Sequence, residues 1–199
     1  MVDAALQANR PRLVHVSTTS VYDREAAGDA EIAETHALVT SGSAYAVTKA
    51  EAEAEVARGV TAGLSTLVLR PPAVLGAGPT STWGTRVPER LRDGALPARD
   101  PKATFAWVHI EDLVDAALLG IDTPVTATTN VVGGHTTFGA YLERIARIVG
   151  VEPPGPPEGS APRGWRGQLA TGRLPEVLGI SPRRRFDEAL DEIGAAWDG

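Results

Sequence analysis

The sequence predicts an α/β protein, with parallel strands flanked by helices and a small mixed α/β region from residue 76 onward. Three observations carry this. Leu13-Val14-His15-Val16 is a short apolar, β-branched run, the kind expected of a buried parallel strand, and Leu64 to Leu69 reads as a second strand. An Ala- and Glu-rich helix signal, Ser43 to Arg58, stands between them. Beyond residue 76 the chain turns to Gly- and Pro-rich connections between short helical patterns.

Taken in order, residues 2–9 read as the end of a helix that Arg10-Pro11 breaks. After the first strand come four hydroxyls, Ser17-Thr18-Thr19-Ser20, then Val21-Tyr22, and residues 23–42 are polar and irregular. Gly59 is the expected stop of the 43–58 helix. Arg70-Pro71-Pro72 ends the second strand, and 76–84 reads as a loop. Short helices are expected at 86–93 and 112–119, and a brief strand at 130–132 before two glycines. Residues 137–149 place Phe138, Tyr141, Leu142, Ile145 and Ile148 on one helical side. Residues 150–167 read as an irregular crossing segment, and the tail as short helices near 174–178 and 186–197.

Composition narrows the functional classes. A length of 199 residues allows one or two domains with a real core. A formal net charge of −6 argues against a nucleic-acid partner, and the run Arg183-Arg184-Arg185 reads as a solvated loop. With no cysteine, disulfides, thiolate nucleophiles and Cys-ligated zinc are excluded. The four histidines, His15, His36, His109 and His135, lack metal-ligand spacing, so no metal is expected. Neither a signal-peptide core nor a membrane-length apolar stretch is present, which makes a cytoplasmic protein without a membrane partner the expectation.

Chemistry enters with Tyr45 and Lys49, four apart on the clearest helix and therefore on one face. A free tyrosine, with a pKa near ~10, is a poor base at neutral pH, and a fixed ammonium nearby favours the phenolate. Alone, the pair equally describes a surface contact worth a few tenths of a kcal/mol. Thr18 adds to it. It sits where a buried strand ends, the side on which α/β sheets bind ligands, although hydroxyls bonded to backbone at a strand terminus fit the same position.

Six segments in order resemble the extended short-chain dehydrogenase/reductases, the NAD-dependent epimerase/dehydratase family. Val14-His-Val-Ser-Thr-Thr-Ser-Val-Tyr22 is similar to the strand carrying the catalytic Ser/Thr. Ser43-Ala-Tyr-Ala-Val-Thr-Lys-Ala-Glu-Ala-Glu53 resembles the Tyr-x-x-x-Lys helix. Leu69-Arg-Pro-Pro-Ala-Val-Leu-Gly76 resembles the segment that approaches the nicotinamide. Phe105-Ala-Trp-Val-His-Ile-Glu-Asp112 is similar to the Val-His-Val-x-Asp motif, Asn130-Val-Val-Gly-Gly134 to a late strand, and Leu178-Gly-Ile-Ser-Pro182 with Phe186-Asp-Glu-Ala-Leu190 to the closing segment.

The resemblance implies a partial Rossmann-like doubly wound sheet. Residues 1–75 would be the C-terminal part of that domain and 76–199 the substrate-binding region with elements returning to the core. It implies Tyr45 as acid/base, Lys49 as its partner and Thr18 as holder of the substrate oxygen. Tyr45, Lys49, Pro71, Pro72 and Val74 would touch the cofactor, and Thr19, Ser20, Trp83 and Arg86 a small-molecule substrate. His109 reads as structural, with Glu111 and Asp112 at a helix N-terminus. The activity implied is NAD- or NADP-dependent epimerisation, dehydration or carbonyl reduction.

Three departures refine this. Dehydratases of the family carry an acidic pair after the catalytic Thr, where this chain has Thr19 and Ser20. Many nucleotide-sugar members have Asn where it has Ala73, and Arg-Pro-Pro-Ala-Val is closer to the reductase and hydroxysteroid-like branches. The family's opening strand, Gly-x-x-Gly-x-x-Gly turn and pyrophosphate-binding helix have no counterpart, so roughly one hundred family-equivalent residues are expected to lie outside this sequence. Gly76-Ala-Gly-Pro79 follows the wrong strand and is no substitute. The strand at 13–17 should then be an exposed edge that invites a partner: a homodimer or a completing chain. A split enzyme and a non-catalytic remnant serving as a binding or scaffold protein are the competing readings.

Overall fold

The computed structural model describes residues 2–7, 12–153 and 163–197. Helix α1 (Val2–Gln7) leads to β1 (Arg12–Val16), a 3₁₀ turn at Thr19–Val21, the short α2 (Arg24–Ala27) and the long α3 (Ala44–Thr61). Next come β2 (Ser65–Arg70), β3 (Ala73–Leu75), a π-helical turn at Thr82–Arg86 and α4 (Val87–Arg92). Then follow β4 (Thr104–His109), α5 (Ile110–Asp122), β5 (Ala127–Asn130), β6 (Gly134–Thr137), α6 (Phe138–Val149), α7 (Arg173–Leu178) and α8 (Phe186–Ala195).

The apolar runs pair as expected. β1 and β2 are parallel, with Arg12 opposite Ser65 and Val16 opposite Leu69, and β2 pairs parallel with β5, giving the order β1-β2-β5. A second sheet, β3-β4-β6, is mixed: β3 is parallel to β4 and β6 antiparallel to it. Under the first sheet Leu67, Leu69 and Leu113 pack with Leu174 of α7. Under the second, Phe105, Tyr141, Ile145 and Leu190 join α6 and α8, with Phe105 and Tyr141 stacked at 4.3 Å.

Several local expectations are corrected. Helix α3 runs through Gly59, because a side chain there would lie 2.9 Å from both Leu64 and Val2, which close on the helix at that point. The helix-ending glycine is Gly63, at φ +96°. The strand expected at 130–132 is displaced to 127–130: Thr128 and Thr129 carry the ladder, and Val131 adds one more bond to Arg70 O. The 76–84 loop ends in the π turn, fixed by Ser81 Oγ accepting from Gly84 N–H at 2.9 Å. In the tail loop Arg183 and Arg185 are exposed, but Arg184 is engaged, reaching Glu111, Asp112 and Asp115 of α5 at 2.6, 2.8 and 3.1 Å. Part of the 150–167 segment and residues 8–11 lie outside the described residues.

One side of the first sheet is open. Among the described residues β1 has β2 as its single sheet neighbour, and Val16 is exposed. Alongside it, α5 packs with Gly120 near Val14 and presents Ile110, Val114, Leu118 and Ile121 outward at helical spacing.

A buried ion pair ties the first sheet to α3. Arg70 donates to Glu53 through Nε and Nη2, the shorter contact being 2.5 Å, and both side chains are under a tenth exposed. Removing one partner strands the other charge. Arg70→Met is expected to lower stability by about 3–5 kcal/mol in urea denaturation, with Arg70→Met/Glu53→Leu recovering most of the loss.

Candidate active site

The site forms where the strands of the first sheet end. Past β1 the ladder continues irregularly: Ser17 N–H donates to Leu69 O at 2.7 Å and Thr19 N–H to Pro71 O at 2.9 Å. This lays the hydroxyl run along Arg70-Pro71-Pro72, at the carboxyl end of a parallel sheet. Thr18 caps the 3₁₀ turn, its Oγ1 accepting from Ser20 N–H at 3.2 Å.

Helix α3 is aimed at the same place. Ser43 Oγ accepts from Ala46 N–H at 3.2 Å, which fixes the helix start so that Tyr45 falls in the first turn, 58% exposed. One turn on, Lys49 Nζ donates to Val16 O at 3.0 Å, at the last residue of β1. One further turn on, Glu53 accepts from Ser17 Oγ at 2.5 Å as well as from Arg70. Tyr45, Lys49 and Glu53 thus form one helical stripe, tethered at two points to the strand ends.

Thr18, Thr19, Ser20, Tyr45, Pro72, Val74 and Trp83 line a single cleft of about 1080 Å³. Trp83 reaches it from the π turn, packed edge-on to Phe105 at 5.1 Å. Three residues expected to contribute directly, Lys49, Pro71 and Arg86, do not line it. Pro71 is buried behind the wall, where its carbonyl serves Thr19, and Arg86 is exposed at the far end of the π turn. His109 caps α5 through Nδ1, accepting from Glu111 N–H at 3.2 Å, so its Nε2 carries the proton donated to Glu192 at 2.9 Å.

Further residues at the site were not foreseen. Glu53 and Arg70 anchor it, and the regular spacing Tyr45, Lys49, Glu53 was the available signal. Arg70 Nη1 also donates to Tyr22 OH at 2.9 Å, and Tyr22 OH donates to Asn130 Oδ1 at 2.6 Å, joining β5 to the network. Burial raises the Tyr22 phenol above its ordinary value against the pull of Arg70. Burial, aided by the Lys49 charge, holds the His15 imidazole below its own. Arg24, Arg99 and Asp100 complete the polar lining. Among the described residues no three His, Cys, Asp or Glu side chains converge as a metal site.

Residues 1–133 match the sequence profile of the NAD dependent epimerase/dehydratase family. The chain belongs to this family. Its described architecture agrees with solved members. MoeE5, solved in complex with UDP-glucose and NAD, is 25% identical with a TM-score of 0.80, over 98% of this chain and 67% of that one. A UDP-N-acetylglucosamine 4-epimerase from Methanobrevibacter ruminantium M1, in complex with UDP-N-acetylmuramic acid, is 18% identical with a TM-score of 0.76, covering 98% and 65%. RMD from Pseudomonas aeruginosa, complexed with NADPH, is 24% identical with a TM-score of 0.74, covering 99% and 71%. The chain therefore spans about two thirds of the length of these family folds. No curated protein sequence matches it.

The cleft's rim carries a measurable charge device. Asp100 accepts from Arg166 Nη2 at 2.9 Å and from the backbone N–H of Lys102 and Gly164 at 2.9 and 3.0 Å. The Arg166 bond, then those backbone bonds, lower its carboxyl from 3.8 to about 2. With the folded value depressed, its contribution is complete above 3.8 and lost as pH falls through 2. An NMR acid titration is expected to place the Asp100 midpoint near 2, with the Gly164 and Arg166 signals moving in the same step.

Proposed function

We propose that this chain carries the substrate half and the acid/base machinery of an NAD(P)-dependent epimerase, dehydratase or reductase. The observation that supports this most is that Thr18 and Tyr45 line one large cleft at the sheet's carboxyl end, with Lys49 tethered to the end of β1 one helical turn from Tyr45. Bound there, a nicotinamide dinucleotide supplies the hydride donor and acceptor. Pro72 and Val74 fit its nicotinamide end as cleft wall, and Lys49 has two Nζ donors left, after Val16 O, for a ribose hydroxyl. The described residues contain no Gly-rich strand-to-helix turn for a pyrophosphate.

Within that frame each residue has one task. Tyr45, exposed at the helix start, gives or takes the proton at the reacting oxygen of the substrate. Lys49, held one turn away by Val16 O, keeps its positive charge fixed at the strand end beside that residue. Thr18 hydrogen-bonds the same oxygen through its hydroxyl, and its commitment to Ser20 N–H fixes the direction of that group. Trp83 and the Phe105 wall give the rest of the substrate an apolar surface. The UDP-sugars of the solved relatives make a nucleotide-linked sugar the first substrate class to try, with Ala73 marking where this chain departs from many such members.

The pyrophosphate end is completed by a further α/β segment, supplied by the same polypeptide or another. Support comes from the free edge of β1 and the apolar stripe of α5 beside it, together the surface against which another parallel strand and its flanking layer would pack.

Two measurements test these statements. Calorimetric titration with NADH and NADPH is expected to give binding that Lys49→Ala abolishes and Tyr45→Phe preserves. Where NADH oxidation is measurable, Tyr45→Phe should reduce it about 10²- to 10⁴-fold. Turnover unchanged by Tyr45→Phe would remove that residue from the chemistry. In hydrogen exchange, the β1 edge amides should exchange fast in this chain alone and slow on addition of the completing segment. Equal rates would mean that the edge is not its docking place.

A further inference from the structure

Arg24 and Trp165 stand together on the cleft wall, the guanidinium carbon 4.8 Å from the indole centroid. Arg24 Nη2 lies 3.4 Å from Thr19 Oγ1, so this wall adjoins the hydroxyl run that includes Thr18. Each side chain also carries a buried N–H, Nε of Arg24 and Nε1 of Trp165, that finds no acceptor among the described residues. Buried donors in native proteins are paired, so two adjacent orphans on one wall ask for an acceptor. Stacking and the contact of Arg24 Nη2 with Thr19 Oγ1 hold the pair, and neither of them satisfies these two N–H groups.

Charge narrows what that acceptor is. Arg163, also on the cleft, is paired with Asp29, and Asp100 with Arg166. Arg24 has no carboxylate within 4 Å among the described residues, although the chain as a whole carries −6. A hydroxyl would bring a donor of its own and no compensating charge. An oxyanion brings several lone pairs and a negative charge, and so matches both donors and the cation.

We propose that Arg24 and Trp165 form a subsite for an oxyanion of the substrate, a carboxylate or a phosphate ester carried close to its reacting carbon. This rests on the cleft being the substrate site, as proposed above, but it needs neither cofactor nor turnover.

The test uses ¹H–¹⁵N spectra of the 199-residue chain, with the Arg24 Nε–H and Trp165 Nε1–H signals assigned from Arg24→Gln and Trp165→Phe. Glucuronate and glucose 6-phosphate are titrated separately, with glucose as the neutral control. Both signals are expected to shift together, saturably, with at least one of the two anions and not with glucose, and whichever anion binds identifies the group. Arg24→Gln should weaken that binding by about tenfold or more, the loss of one charge-assisted contact. Trp165→Phe, which keeps a ring beneath the guanidinium, should weaken it less and leave the Arg24 shift in place. No shift with either anion, an equal shift with glucose, or unchanged affinity in folded Arg24→Gln would overturn the subsite. The titration reads anion contact at Arg24 and Trp165 and not turnover, so failure of the acid/base assignment, read from NADH oxidation by Tyr45→Phe, and failure of this one are told apart.

Discussion

The buried Arg70–Glu53 pair is the constraint on which the rest of the site depends. Two charges under a tenth exposed are costly to desolvate, and a well-packed apolar pair of similar volume would often be as stable. What the ions provide is position. Glu53 holds Ser17, the residue before Thr18, while Arg70 immediately precedes Pro71-Pro72. Its second branch holds Tyr22 OH and Glu34 O, and Tyr22 in turn holds Asn130 at the end of β5. One guanidinium thus registers three strand ends and helix α3 against each other. Tyr45 and Lys49 inherit their placement from it, two turns and one turn up the same helical stripe.

That arrangement explains how an exposed tyrosine is kept in place. Tyr45 makes no side-chain hydrogen bond among the described residues and sits in the first turn of a helix, where fraying is greatest. The Ser43 cap closes the turn, Lys49 fastens the next to β1, and Glu53 fastens the one after to β2. The backbone under the phenol is rigid while the ring remains free to meet a ligand. A similar division holds at the rim, where Asp100 is consumed by three donors and Arg24 is left uncompensated. Asp29 and Asp100 near this cleft are paired, while Arg24 and Trp165 on its wall each keep a buried N–H without a partner among the described residues.

Much of this was legible in the sequence because it depends on local pattern. Short runs rich in Leu and Val mark β1 and β2 as parallel strands, and the Ala- and Glu-rich stretch marks α3. The elements that were misplaced depend on tertiary contact. Gly59 looks like a helix stop until Leu64 and Val2 are seen packed on it, and the true stop, Gly63, is distinguished only by its positive φ. The threonine-rich β5 lacks an apolar run and is a strand because β2 lies beside it. Thr18 and Tyr45 stand in motifs readable in the sequence, and the structure brings them to one cleft with Trp83. Arg24 and Trp165 could not be read as a pair, since 141 positions separate them in sequence and only the fold brings the indole under the guanidinium.

The open edge of β1 and the polar demands of the cleft lead to the same picture of the molecule. Parallel strands are ordinarily covered on both faces and paired on both sides, and among the described residues β1 is paired on one. Next to it, α5 presents four large aliphatic side chains in a line to solvent, which a surface helix would ordinarily replace with charge. The opposite side of α5 is satisfied: Asp112 is buried and clamped by Arg184, and Leu113 and Ala116 pack in the core. A helix finished on one side and apolar on the other, beside a strand paired on one edge, describes a surface made to be covered. The buried network, by contrast, is complete without any such cover. The residues that position Tyr45 and Lys49 are therefore internal to this chain.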